Sequence, residues 1–370
     1  MHGPQQLEKL KILDPACGSG SFLIQAYQFL MDFHRDWYIK DGIEKHSKCK
    51  EPKLVQVRSG EWRLSTPERK KILLANIHGV DIDSQAVEVT KLSLLLKVLE
   101  GENEQSLAKQ MTLWHERALP DLDNNIKCGN SLIESDFYNG VQETMALYGD
   151  YEDEERIKIN EFDWDGKRGF PEILKNGGFD VVIGNPPYVR QETIGDFKEY
   201  FKRKYKVYHG MADLYVYFFE RGVSLLNKHG FFSIIVANKW MRANYGEPLR
   251  KWLKQKTVRE IIDFGDLPVF QTATTYPCII TVSRGIGKKP VSVCKVETLD
   301  FRDLLFYRNK NSFKANLSSF KDEGWSLTDN KSEKLLDKIK SKGVLLGDYV
   351  KRPRHSHSRT NMQSPRGNAS

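Results

Sequence analysis

Asn185-Pro186-Pro187-Tyr188 directly follows the continuous apolar run Phe179–Gly184 and carries the most specific chemistry in the chain. Two consecutive prolines end the strand and stiffen the turn, leaving carbonyl groups without sheet partners. An Asn carbonyl and a Pro carbonyl so placed can both accept from one –NH2 group. Accepting both N–H hydrogens of a planar exocyclic amine disfavours its conjugation with the ring, which frees the nitrogen to attack an electrophilic methyl. Tyr188 adds a face on which a base can stack.

Two further motifs supply a place for a nucleoside-like ligand. Asp14-Pro15-Ala16-Cys17-Gly18-Ser19-Gly20-Ser21-Phe22 reads as a strand end, a glycine turn and a helix start. Such a turn lets backbone approach a ligand and points free N–H groups at it. Leu23 stands where a dinucleotide fingerprint needs its third glycine, and no P-loop lysine follows. Gly79-Val80-Asp81-Ile82-Asp83 ends a second strand in an acid suited to the two hydroxyls of a ribose, with Asp83 read instead as a turn or helix cap. No metal-ligand set accompanies these motifs, and Pro120-Asp121 has no nuclease partner nearby.

The elements that must position them alternate short β-type runs with helical patterns, which favours an α/β parallel sheet. Strands are expected at 11–13, 78–82, 179–184, 231–237, 260–264 and 278–283, the last as an antiparallel edge. Helices are expected at 22–33, 65–75, 86–100, 214–226 and 248–256. Residues 34–64 and 134–175 read as polar surface insertions. The chain has 370 residues and a net charge of +8, unevenly spread: residues 134–165 are strongly acidic, residues 189–260 basic, and residues 351–370 hold five basic and no acidic side chains. No run reaches the ~18–20 apolar residues of a membrane-spanning helix. Five cysteines without a C-x-x-C pair suit a reducing cytoplasm, and no membrane partner is expected.

These motifs resemble those of the adenine-N6 DNA methyltransferases of restriction–modification systems, with the gamma motif order and type IIG-like organisation. The resemblance implies a Rossmann-like class I S-adenosylmethionine-dependent methyltransferase fold, with a mostly parallel sheet and an antiparallel edge strand. It implies S-adenosylmethionine bound by Asp14, Ala16, Gly18, Gly20, Phe22, Asp81, Ile82 and Asn130, the last within Cys128-Gly129-Asn130-Ser131-Leu132. Asn185, Pro186, Pro187 and Tyr188 become the catalytic turn, and Phe270, in Asp266-Leu267-Pro268-Val269-Phe270, a second aromatic against a flipped base. Double-stranded DNA is the expected partner, with Arg190, Lys202, Arg203 and Lys204 placed to meet phosphates.

The expected organisation is a catalytic domain over 1–285, a connector and the opening of an incomplete target recognition domain over 286–350, and a disordered basic tail over 351–370. An upstream cofactor motif of the family has no counterpart before residue 11, so the chain reads as shortened at both ends, and a separate specificity subunit or recognition domain is expected. Two other readings remain open at this level: an inactive remnant or DNA-binding subunit, and an RNA or protein-glutamine methyltransferase using the same turn.

Overall fold

The computed structural model describes residues 3–57, 60–102, 119–140, 159–189, 195, 197–270, 275–285, 290–327, 335, 338, 339 and 341–343. The chain divides into two compact units, Met1–Leu327 and Thr328–Ser370. Of the second, the described residues include helical positions 335, 338, 339, 341 and 342. The expected tail over 351–370 lies outside the described residues.

The first unit is built on a nine-stranded sheet. In chain order its strands are β1 (Ile12–Asp14), β4 (Ile77–Asp81), β5 (Ile126–Cys128), β6 (Phe179–Gly184), β7 (Leu226–Ala237), β8 (Thr257–Asp263), β9 (Pro277–Ser283), β10 (Val291–Lys295) and β11 (Phe313–Ala315); β2 (Leu54–Gln56) and β3 (Trp62–Leu64) pair in a separate hairpin. The spatial order is β11-β10-β8-β9-β7-β6-β1-β4-β5. Strands β5, β4, β1, β6 and β7 run parallel, with Ile12 opposite both Ile77 and Val181. The chain leaves β1 toward β4 and β5 on one side and returns to β6 and β7 on the other. That reversal makes the carboxyl ends of β1, β4 and β6 the natural crevice of the fold.

Strand β9 is antiparallel to both β7 and β8, so it lies inside the sheet and not at the expected edge. Cys278, Ile280 and Val282 are buried on its inner face, which an edge strand would not require. The outer antiparallel strand is β11, paired to β10. Strand β10 in turn pairs in parallel with β8, so the sheet continues past residue 285 and the first unit runs to Leu327 instead of ending at the expected boundary.

The helix after β1 runs Ser21–Ser47, well beyond Phe33, and Gly42 breaks it with φ +124°. Residues 34–64 are therefore not a surface insertion. Several of their side chains turn inward: Tyr38, Leu54 and Leu64 are buried beside the helix Thr66–Asn76, while Ile39 and Val55 remain exposed. Tyr38 Oη donates to Glu68 Oε1 at 2.6 Å in this interior. A hydrogen bond to a charged acceptor contributes about 1.5–3 kcal/mol. Tyr38→Phe is expected to lower the unfolding free energy by about that amount, measured by urea denaturation at pH 7. Part of the acidic segment is likewise core, since Phe162, Trp164 and Phe170 are buried. Residues 141–158 lie outside the described residues.

Candidate active site

The glycine turn, the acid that ends β4, the residues after β5 and the Asn-Pro-Pro-Tyr turn converge on one cavity of about 390 Å³. Its polar half is lined by Pro15, Ala16, Gly18, Asp81, Ile82, Gly129, Asn130 and Ser131. Asn185, Pro187 and Val189 bring in the turn after β6, and Leu132, Phe197, Phe201, Leu214 and Phe218 form an apolar wall.

Asp81 organises the polar half across 63 residues of sequence: its Oδ2 accepts from Gly18 N–H at 2.7 Å and its Oδ1 from Asp83 N–H at 3.0 Å. The turn is further held by Thr90, whose hydroxyl donates to Gly18 O at 2.7 Å, and by Ser131, whose hydroxyl donates to Pro15 O at 2.5 Å. Gly18 has φ +52° and open space where a Cβ would stand, so its backbone is bare toward the cavity. The third glycine of a dinucleotide fingerprint, which serves close packing of helix on strand, has a substitute here. Leu23 occupies that place, and the room is made on the neighbouring strand, where a Cβ on Gly79 would lie 2.8 Å from Leu23 Cδ1.

The turn after β6 shows the most telling atom of the site. Asn185 Oδ1 is buried and, among the described residues, without a hydrogen-bond partner. Buried polar atoms are paired in the great majority of cases, so an orphaned acceptor at a cavity wall is a place where a donor is expected to arrive. Pro186 is buried, while Pro187 and Tyr188 are exposed. The Tyr188 ring lies 5.8 Å from that of Tyr215, which is buried and whose hydroxyl is 2.9 Å from that of Tyr245. Tyr188 is thus braced on one side by Tyr215 and remains partly exposed. Burial, then the Cys278 thiol, pushes its phenol up to about 12, so it stays neutral at physiological pH.

Residues 75–270 match the family described as Eco57I restriction-modification methylase. The chain belongs to that family. Residues 4–121 also match the family described as N-6 DNA Methylase. The type II restriction enzyme and methyltransferase RM.Eco57I of Escherichia coli is 32% identical over 92% of this chain and 31% of its own length. The type II methyltransferase M.BstVI of Geobacillus stearothermophilus is 26% identical over 94% of this chain and 52% of its own. The chain therefore spans about a third to a half of the length of these relatives. Among solved structures, a nuclease-deletion mutant of the Type ISP enzyme LlaGI with a DNA substrate mimic superposes with a TM-score of 0.51 at 15% identity, covering 88% of this chain and 25% of that one. The Type IIL enzyme MmeI in complex with DNA gives 0.50 at 14% identity, covering 84% and 35%. These likenesses are ones of fold: α/β, with a mixed, mostly parallel sheet.

S-adenosylmethionine is the cofactor implied for a methylase of this family, and the residues present fit it. A cavity of about 390 Å³ falls within the ~300–1,000 Å³ of small-molecule sites. It offers a carboxylate at a strand end, a bare glycine turn and an apolar wall for a flat ring.

The expected site residues divide by position in this Eco57I-family chain. Ala16, Gly18, Asp81, Ile82, Asn130, Asn185 and Pro187 line the cavity, whereas Asp14, Gly20, Phe22, Pro186, Tyr188 and Phe270 do not. Gly20, at φ +82°, packs against Thr90, and Phe22 sits exposed on its helix. Phe270 is half-buried after the turn that follows β8. Asn130 is engaged locally, its Oδ1 accepting from Leu132 N–H at 3.1 Å and its amide donating to Ile159 O at 3.3 Å.

Of the basic residues, Arg190 lies outside the described residues, and Lys202 is exposed with Glu199 3.8 Å away. Arg203 donates to Asp136 O at 3.0 Å and sits 5.6 Å from the Tyr200 ring centroid. Lys204 faces the protein instead, its Nζ 2.5 Å from Glu134 and 2.7 Å from Asp136. The acidic segment that begins at Glu134 packs there and neutralises it. The apolar wall was missed at the level of sequence because Phe197 and Phe201 sit in a charged stretch. Their four-residue spacing, repeated by Leu214 and Phe218, was the available signal of a buried helical face.

Asp14 is buried behind the glycine turn, where its Oδ1 accepts from Ala16 N–H at 3.0 Å. Burial pushes its carboxyl up to about 7; the Ala16 bond opposes this, and nearby Asp81 adds to it. The folded state then holds a proton that the unfolded chain releases near pH 4. Stability from this group is present below pH 4, falls as pH rises and is gone above about 7. Asp14→Asn is expected to remove that decline, seen as a flatter plot of unfolding free energy from pH 4 to 7.

Proposed function

We propose that this chain is the catalytic part of an adenine-specific DNA methyltransferase of a restriction–modification system, adding a methyl group to the exocyclic N6 of adenine in duplex DNA. The observation that carries the reading is the orphaned Asn185 Oδ1 at the wall of the cavity that holds the glycine turn and Asp81. S-adenosylmethionine, when bound, supplies an electrophilic methyl on a sulfonium. Asp81 holds the ribose, the Gly18 turn meets the methionine end, and the apolar wall excludes water.

The target adenine must leave the duplex stack, which costs a few kcal/mol. Stacking on Tyr188, with Phe270 as the second aromatic, offsets much of this at about 1–3 kcal/mol per contact. Asn185 Oδ1 and the Pro186 carbonyl accept the two amine hydrogens, aim the nitrogen lone pair and keep it off the ring. Positioning and hydrogen bonding therefore do the catalytic work of this chain. The N–C bond forms as the sulfonium S–C bond breaks, which leaves the thioether S-adenosylhomocysteine, and the proton that the amine loses passes to solvent, since Asn185 and Pro186 offer carbonyls and not a base. Sequence choice is assigned to a specificity subunit or recognition domain, and the exposed Lys202, with Arg190 and Arg203, to the DNA backbone.

The test is transfer of a tritiated methyl group from S-adenosylmethionine to duplex DNA lacking adenine methylation, with RNA and protein as competing substrates. Label recovered as N6-methyladenine in DNA is the expected result. Label in RNA or glutamine side chains would move the substrate class. Cofactor binding without transfer to any substrate would mark a remnant.

A further inference from the structure

We infer that Glu134 is a positioning residue for the cofactor cavity, because its carboxylate ties together the three separate chain segments that form the apolar wall. The inference rests on the reading of that cavity as the cofactor site. Leu132 comes from the segment after β5, Phe197 and Phe201 from the segment after the catalytic turn, and Leu214 and Phe218 from the start of the helix Tyr215–Ser224. Leu132 lies 65 to 86 residues before the residues of the other two segments, which are 13 to 21 residues from each other, and none of the five is in a strand of the sheet.

Glu134 Oε2 takes the Lys204 ammonium at 2.5 Å, and Oε1 takes the Arg221 guanidinium at 2.5 Å. Its backbone N–H donates to Tyr200 Oη at 3.1 Å. Tyr200 Oη donates on to Asp136 Oδ1 at 2.7 Å, and Lys204 reaches Asp136 Oδ2 at 2.7 Å. Arg221, which is buried, also donates to Tyr205 Oη at 3.1 Å, and Tyr205 Oη donates to the carbonyl of Leu132 at 2.7 Å. The network thus closes on a residue of the cavity wall itself. On the inner side Phe201 stacks on Tyr217, ring centroids 4.5 Å apart, so the helix Lys198–Lys204 is held between the two other segments.

A wall assembled from three segments is only as well placed as the contacts that register them. A shift of about 1 Å in a supporting shell is enough to spoil a site. Loss of Glu134's charge removes the carboxylate that joins Lys204 directly to Arg221, and leaves the segments linked through the outer contacts alone, Lys204 with Asp136 and Arg221 with Tyr205. The geometry also gives Lys204 a purpose other than a DNA phosphate, and the two roles differ in what they predict.

Calorimetric titration of the full chain with S-adenosylmethionine and S-adenosylhomocysteine tests the inference. Glu134→Gln and Lys204→Met are each expected to weaken binding about tenfold, Lys204→Arg to stay within twofold of the parent, and DNA affinity at fixed salt to be unmoved in all three. Lys204→Met alters a partly exposed side chain and remains informative if Glu134→Gln does not fold. Added salt is expected to weaken cofactor binding to the parent more than to Glu134→Gln, because the bridge is partly exposed and screened. Unchanged cofactor affinity in Lys204→Met would overturn the inference, whether accompanied by a lower melting temperature or by weaker DNA binding. Failure of the parent chain to bind either ligand would be a different result, overturning the cofactor reading itself.

Discussion

Asn185→Ala is expected to cut methyl transfer to DNA by about 10²–10³-fold or more, the scale seen when one preorganised hydrogen-bonding group is taken from a reacting centre. Cofactor affinity should stay within a few-fold. Its Oδ1 is a buried acceptor with nothing to accept, so it contributes no bond that holds the resting fold together. Removing it should relieve a desolvation penalty and leave stability level or slightly raised. The deficit must then appear in kcat, because the bond is made to the amine as it becomes nucleophilic. Asn185→Asp is a second check: the carboxylate still accepts, so a partial loss is expected where alanine loses nearly all. Tritiated transfer read beside calorimetric cofactor binding separates these outcomes. Full activity in Asn185→Ala would sink the mechanism.

Asp81→Ala is expected to weaken S-adenosylmethionine binding by about 100-fold or more, given ~1.5–3 kcal/mol for each hydrogen bond to a charged group. Two losses combine. The carboxylate at the cavity is gone for a ribose, and the Gly18 N–H, which Asp81 Oδ2 now accepts at 2.7 Å, is left without that partner. Asp83 provides the contrast two residues on. Its Oδ1 accepts from Gln85 N–H at 2.8 Å and caps the helix Ser84–Leu99. Asp83→Ala should cost roughly 1 kcal/mol of stability, as lost N-caps do, with cofactor affinity little changed. Paired titrations and denaturation curves of the two variants measure the division of labour. Equal losses of affinity in both would contradict it.

Where the chain's own pattern is local, it could be read in advance. The run Phe179–Gly184 emerges as β6 with those bounds, and Ser65-Thr66-Pro67 opens a helix whose N-cap Ser65 accepts from Glu68 N–H. Glycines at 18 and 20 take the positive φ that a tight strand-to-helix turn needs. By contrast, residues 34–64 read as surface because their charges outnumber their apolar groups. The side chains that count, Tyr38 and Leu64, find a shared interior only once the hairpin β2–β3 folds back.

By itself the sequence determined which residues stand at strand ends: Asp81 as the last residue of β4, Asn185 after β6, the glycine turn after β1. Short continuous apolar runs and turn chemistry act over a few residues, so such positions follow from neighbours in the chain. Tertiary structure alone decided which distant groups meet. It placed β9 inside the sheet, carried the sheet on through β10 and β11, and turned Lys204 from an expected phosphate contact into a partner of Glu134. It also set Phe197 and Phe201 beside Leu132 and Phe218 as one wall. Charge runs and isolated aromatics acquire partners only when segments tens of residues apart pack together, because ion pairing and apolar burial act through space with no fixed spacing along the chain.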